Sequence, residues 1–356
     1  MAAALLAAIL IFPLRANGLS AQRAVLMDAQ TGRLLYAKNA DDKALIASTT
    51  KIMTALIICE QCNVLDRMQI PREAVGIEGS SMYLQEGEIL TLQELLYGLM
   101  LQSGNDAAVA LAIYCVGTVE GFVELMNDKA RSLGMDNTHF ENPHGLDSNA
   151  HYSTARDMAI LTAYAMNDPV FSKTVSTKAV TVGGRHLRNH NKLLWLQPGA
   201  DGVKTGYTKA AGRTLVSSAV QDGRRLIVVT IGAPDDWNDH KQLYLSGFGN
   251  FSLQSLVNQG QYLGHKTLLG GEGESVCLLA ADSFSYPIAA DEQVSIVLSG
   301  KEFVYAPVVE GEAAGVAYIC VDEQVVGKVP LVYGRTVELT ENKKSLFQRI
   351  FGGTHD

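Results

Sequence analysis

Nowhere does the chain carry the roughly 20 consecutive apolar residues that a helix needs to cross a bilayer, and nowhere a dense cluster of Lys and Arg. With a formal net charge of -8, the second absence excludes nucleic acid as a partner, because no patch could neutralise a phosphate backbone. Cysteine is scarce too. Cys59, Cys62, Cys115, Cys277 and Cys320 are too few and too scattered for a disulfide framework. Cys59-Glu60-Gln61-Cys62 matches CxxC, yet no second pair completes a zinc site and no thioredoxin-like context surrounds it, so helix packing is the reading. The HExxH pattern is missing as well. His139, His144, His151, His186 and His190 fall in or between irregular segments, and Gly183-Gly184 and Asn189 argue against a helix aligning His186 with His190. Neither a metal nor another cofactor is expected.

Charged residues make up only 19% against 47% apolar over 356 residues, which excludes disorder and allows a large core divided over two domains. The unbroken apolar stretch Met1 to Leu14 is too short to span a bilayer, and Pro13 would break a buried helix there. It reads as the core of a signal peptide covering residues 1–20. Gly18 and Ser20 are small enough to permit cleavage before Ala21, although Arg15 follows the core where a basic start would precede it. The mature protein is therefore expected outside the cytoplasm.

Hydrophobic period and turn residues outline the elements. Arg23 to Asp28 and Arg33 to Lys38 flank Ala29-Gln30-Thr31-Gly32 as a hairpin. Ala47-Ser48 opens a helix whose Ile52, Met53, Leu56 and Ile57 give an apolar face. Thr91-Leu92-Gln93-Glu94 is a capping box, so a second helix runs to about Gln102 and a third from Asp106 to Cys115. Val119 to Leu133 and Thr154 to Met166 read as helices; Val203 to Thr205, Thr214 to Val220 and Leu226 to Ile231 read as strands; Trp237 to Phe248 is again helical. The pattern predicts an α/β (α+β) catalytic domain, residues 21–252, with an antiparallel or mixed sheet and a helical subdomain. Short apolar runs at Ser275–Leu279, Val294–Leu298, Val304–Val309, Gly315–Val321 and Val325–Val332 predict a small β domain over residues 253–335.

Three strings carry chemistry. Ser48-Thr49-Thr50-Lys51 places a nucleophile and an amine on neighbouring sides of one helical turn, where the amine can take the hydroxyl proton. For that, Lys51 must be neutral part of the time, and burial or the charge of Lys204 would depress its pKa. Ser103-Gly104-Asn105 lies in the break between two helices, and Gly104 would supply unusual dihedrals that turn Ser103 and Asn105 into one cleft. Lys204-Thr205-Gly206 offers a cation and a hydroxyl for a carboxylate, with Gly206 permitting close approach of a substrate backbone. Each string alone has a bland reading: a solvated lysine beside a capping serine, an interhelical loop, an edge-strand lysine.

Taken with Leu101 to Ala107, Asn137-Thr138-His139-Phe140, His144-Gly145-Leu146-Asp147, Ala155-Arg156-Asp157-Met158 and Asp201 to Thr208, the strings resemble the low-molecular-mass penicillin-binding proteins, specifically the serine D-alanyl-D-alanine carboxypeptidases. The likeness covers roughly residues 20 to 335 and implies a penicillin-binding/β-lactamase-like transpeptidase fold. It implies that Ser48 is acylated by the penultimate D-alanine of peptidoglycan stem peptides, Lys51 takes the proton, and Ser103 relays protons to the leaving amine. Asn105 would bind the substrate amide, Lys204 and Thr205 the terminal carboxylate, and the backbone amides of Ser48 and Tyr207 the oxyanion; β-lactams would be covalent inhibitors. The family often has His where Tyr207 stands, and Arg or Thr where His190 stands within Asn189-His190-Asn191.

A serine β-lactamase and an inactive wall-binding homologue share these motifs. Between Asn105 and Lys204 the only glutamates are Glu120, Glu124 and Glu141, and none begins the Glu-x-x-Leu-Asn string that in class A β-lactamases supplies the deacylating base. In the tail, residues 336–356, Leu346, Phe347, Ile350 and Phe351 share one helical side ringed by cations, the pattern of a peripheral contact with an anionic membrane.

Overall fold

The computed structural model describes residues 18–340. The apolar stretch Met1 to Leu14 and the amphipathic segment Lys343 to Phe351 lie outside the described residues. Two compact units divide after Asn250.

In the first unit, β1 (Arg23–Asp28) and β2 (Leu34–Lys38) form the expected hairpin. A 3₁₀ turn, Ala47–Thr50, leads into α1 (Lys51–Gln61). Lys51 through Ile58 are all buried, so over its first two turns this helix has no solvent-exposed face. The sequence suggested one apolar side; packing of five further helices, α2 to α6, against α1 removes the distinction. A small hairpin, β3 (Arg67–Gln69) and β4 (Ile89–Thr91), precedes α2 (Leu92–Leu101), which starts with the reciprocal Thr91–Glu94 box. Next come α3 (Asn105–Val116), α4 (Val119–Ser132), α5 (Ala155–Ala165) and α6 (Pro169–Ser176). Side chains of Thr118, Thr154 and Asp168 cap the last three.

The hairpin β5 (Ala179–Val182) and β6 (Arg185–Arg188) and the single turn α7 (Leu193–Leu196) lead to β7 (Ala200–Thr208). Then β8 (Gly212–Gln221), β9 (Arg224–Ile231) and α8 (Asp236–Asn250) complete the unit. The antiparallel sheet runs β2-β1-β9-β8-β7, with β7 at one edge. Along β1, Val25 and Met27 join the core of helices, whereas Leu26 faces α8, where a Cβ on Gly247 would sit 2.7 Å from it. Helices cover both faces, which explains why the central strands read as continuous apolar runs.

One anchor links this scaffold to the site. Asp106, buried at the start of α3, accepts hydrogen bonds from Ser81 Oγ (2.6 Å) and from the backbone amides of Met82 (3.1 Å), Leu84 (3.1 Å) and Ala107 (2.9 Å). The segment around Ser80 is thereby fastened to the N-terminus of α3.

The second unit is all β among its described residues. β10 (Phe251–Val257) pairs with β13 (Phe284–Ala289). A six-stranded sheet contains β11 (Tyr262–Leu269), β12 (Ser275–Ala280), β14 (Val294–Ser299), β15 (Phe303–Tyr305), β16 (Ala313–Val321) and β17 (Gln324–Tyr333) in the order β14-β16-β17-β12-β11-β15. The α+β expectation for the first unit and the all-β expectation for the second both hold.

Candidate active site

Ser48 lies on the 3₁₀ turn and not on the α-helix itself. In that geometry residues three apart eclipse one another, which brings Lys51 Nζ to 3.0 Å from Ser48 Oγ. Two other acceptors hold the amine: Asn105 Oδ1 at 2.7 Å and the backbone oxygen of His144 at 2.6 Å. Lys51 is wholly buried. Burial drives its pKa well below the ordinary lysine value, the neighbouring charge of Lys204 pushes the same way, and Asp106 opposes them. The arrangement can therefore supply a neutral amine within reach of a serine hydroxyl.

Asn105 donates its backbone amide to Ser80 O (2.7 Å) and its Nδ2 to Glu78 O (2.6 Å). With Oδ1 on Lys51, both ends of the carboxamide are engaged inside the protein, and the side chain is buried behind the amine. Ser103 lines the cleft and is itself the residue with the unusual backbone, φ +64°. Gly104, expected to supply that conformation, has φ -58°. Its role is space: a Cβ at Gly104 would meet Asp106 Oδ1 at 2.7 Å. A serine held at positive φ is strained by order 1–3 kcal/mol, which the surrounding bonds must sustain.

On the opposite wall stands β7. Lys204 is buried, donates from Nζ to Thr205 O at 2.8 Å, and has its pKa brought down to about 7 by burial. Gly206 lets the strand approach Ser48: a Cβ there would lie 2.3 Å from Thr214 Oγ1 and 3.1 Å from the backbone nitrogen of Ser48. Thr214 Oγ1 in turn donates to Ile46 O at 3.2 Å, pinning the 3₁₀ turn to the sheet. Tyr207 is exposed on the edge strand. Asn191 Nδ2 donates to Gly202 O (2.6 Å) and Asn189 Nδ2 to Val175 O (3.1 Å), so both asparagines flanking His190 secure β7 and α6 while His190 lines the cleft.

The cleft has a volume of about 750 Å³ and brings together Ser48, Ser103, His190, Thr205, Tyr207 and Arg213. Its one acidic lining residue, Asp236, is ion-paired with Arg213 at 2.8 Å. All the residues picked out by the three strings thus meet in one place, Lys51, Asn105 and Lys204 beneath the surface and the others on it.

Sequence reasoning missed the third partner of Lys51. Asn142 Oδ1 accepts from the amides of Gly145 (2.7 Å) and His144 (3.3 Å), and its Nδ2 donates to Leu146 O (3.0 Å), forming a turn that aims the His144 carbonyl at Nζ. Gly145, at φ +88°, has Ala47 O only 2.0 Å from where a Cβ would be. Beneath it, buried His151 accepts the Glu141 amide at Nδ1 (3.1 Å), which leaves Nε2–H to donate to Thr50 Oγ1 (2.8 Å). His144-Gly145-Leu146-Asp147 had stood out as a string, but a backbone carbonyl carries no residue-type signal.

The sequence matches the family profile of D-alanyl-D-alanine carboxypeptidases over residues 13–235 and that of the penicillin-binding protein 5 C-terminal domain over residues 251–339. D-alanyl-D-alanine carboxypeptidase DacF of Bacillus subtilis is 33% identical over 327 residues, covering 87% of this chain and 84% of that protein. DacA of Escherichia coli is 32% identical over 334 residues, covering 88% and 83%. The crystal structure of penicillin binding protein 5 from Haemophilus influenzae aligns with a TM-score of 0.78 at 32% identity, over 92% of this chain and 100% of that one.

Gly206→Ala tests the close approach of β7. Its methyl group would force the strand and the Ser48 turn apart, and a displacement near 1 Å is expected to slow acylation of Ser48 by an activated ester about 100-fold. Stopped-flow acylation measures this, with circular dichroism checking that the fold survives.

Proposed function

We propose, because this chain belongs to the D-alanyl-D-alanine carboxypeptidase family of serine peptidases, that Ser48 is the nucleophile with which it removes the terminal D-alanine from peptidoglycan stem peptides. The observation that carries this assignment is the buried amine of Lys51 at 3.0 Å from Ser48 Oγ. Lys51 takes the hydroxyl proton as Oγ attacks the penultimate D-alanine carbonyl, and the backbone amides of Ser48 and Tyr207 receive the oxyanion. Ser103 returns a proton to the departing D-alanine amine. Thr205 and Lys204 hold the terminal carboxylate; Asn105, expected to bind the substrate amide, has Oδ1 and Nδ2 engaged within the protein and positions the Lys51 amine instead. Water then hydrolyses the acyl ester.

Penicillin acylates the same serine, as is typical of the family. Slow release is the reading, since no glutamate among the described residues lines the cleft. Incubation of the protein with benzylpenicillin should leave a persistent adduct by intact mass, absent in Ser48→Ala along with D-alanine release from a pentapeptide. Rapid return to the unmodified mass would favour a β-lactamase instead.

The pH profile tests Lys51 as the base. Lys204 is charged below its pKa of about 7, and there its charge holds the pKa of Lys51 down. In Lys204→Gln that charge is gone, Lys51 binds its proton more tightly, and less of it is neutral at a given acidic pH. The acidic limb of the acylation rate is therefore expected to move to higher pH, with the largest loss of rate below neutrality. An unmoved limb counts against Lys51 as the base.

A wall substrate is consistent with an enzyme at the outer face of the cytoplasmic membrane, and the cation-flanked apolar pattern of the tail fits peripheral contact there. Truncation after Leu339 is expected to abolish co-sedimentation with anionic vesicles while leaving that with neutral vesicles unchanged.

A further inference from the structure

α1 and α3 both begin at the active site and both end at a cysteine. Lys51 opens α1 and Asn105 opens α3, and the two side chains meet at 2.7 Å. At the other end, Cys62 is the residue on which α1 stops, turning to extended backbone (φ -123°, ψ 148°), and Cys115 lies in the final turn of α3. The segment leaving α1 is fastened against that turn: Tyr114 Oη donates to Asp66 Oδ2 at 3.0 Å, and Asn63 Nδ2 donates to Asp66 Oδ1 at 2.8 Å. In this setting the two thiols are near enough to bear on each other's protons. Both side chains are half-buried and neither contributes to the cleft.

We propose that Cys62 and Cys115 are a disulfide-forming pair, closing the far end of the two helices whose near end is closed by Lys51 and Asn105. The oxidant is an external disulfide of the thiol–disulfide exchange class. One cysteine thiolate attacks a sulfur of that disulfide, forming a mixed disulfide and expelling one thiolate. The other cysteine thiolate then displaces the second, so that two protons leave the protein and two electrons pass to the external pair. Burial holds the Cys62 thiol up at about 12 and raises Cys115, which makes unassisted exchange slow and faster in alkaline buffer. The bond encloses α2 and the Ser103 turn in a covalent loop, although in sequence the two cysteines stand far apart and Cys59 is the nearer neighbour of Cys62.

The full chain is equilibrated with excess oxidised glutathione in mildly alkaline buffer, quenched in acid, alkylated and mapped by peptide mass. The expected result is a linked Cys62–Cys115 peptide lighter by two hydrogens than the reduced pair. The melting temperature should rise by about 5–10 °C on oxidation. Cys62→Ser and Cys115→Ser should each abolish that rise and Cys59→Ser should keep it. Full alkylation of both cysteines after oxidation, glutathione adducts without the linked peptide, or a Cys59–Cys62 link would each overturn the proposal. Because the readouts are mass and melting temperature, a failure of the proposed peptidase chemistry leaves this test unaffected.

Discussion

The structure depends on an amine kept out of water. Lys51 carries the most polar atom in the first unit's central helix, and it is tolerable there only because three oxygens from three separate segments surround it. Those oxygens constrain everything nearby. The 3₁₀ turn must bring Ser48 beside its own helix, α3 must start where Asn105 can reach, and the Asn142 turn must present one particular carbonyl. Burial, together with the charge of a second buried lysine on β7, makes this amine lose its proton more readily than an ordinary lysine does.

Around that centre, absence of side chains matters as much as their presence. Gly104, Gly145 and Gly206 each occupy a place where an added Cβ would collide with Asp106, Ala47 or Thr214. Only Gly145 among them also has positive φ. The three segments approach one another to near the limit of atomic contact, and the cleft is what remains between them.

Local signals were legible from the residues alone. The Thr91–Glu94 box and the Ala29-Gln30-Thr31-Gly32 hairpin act within a few residues of chain, so their chemistry can be read without the rest. The elements that escaped notice are short and lean on neighbours: β5 and β6 are largely exposed on a Gly-Gly turn, α6 is a little over two turns, and β10, β11 and β13 alternate weakly. At the site, residue types announced Ser48, Lys51, Ser103, Asn105 and Lys204. They could not announce the His144 carbonyl, the positive φ on Ser103, or the inward use of the Asn105 carboxamide, since each arises from contacts between distant segments.

The chain order of the Lys51 environment has a consequence for biosynthesis. Ser48 and Lys51 are made early, Asn105 and His144 later, and Lys204 on β7 later still. Until the segments that enclose it have come together, Lys51 is a hydrated amine with an ordinary lysine's hold on its proton. On the proposed assignment of Ser48 as nucleophile, a nascent or unfolded chain therefore holds a chemically silent serine, and reactivity toward acyl donors arises only once those segments are in place. The acylation site so assigned is thus withheld until folding is nearly complete.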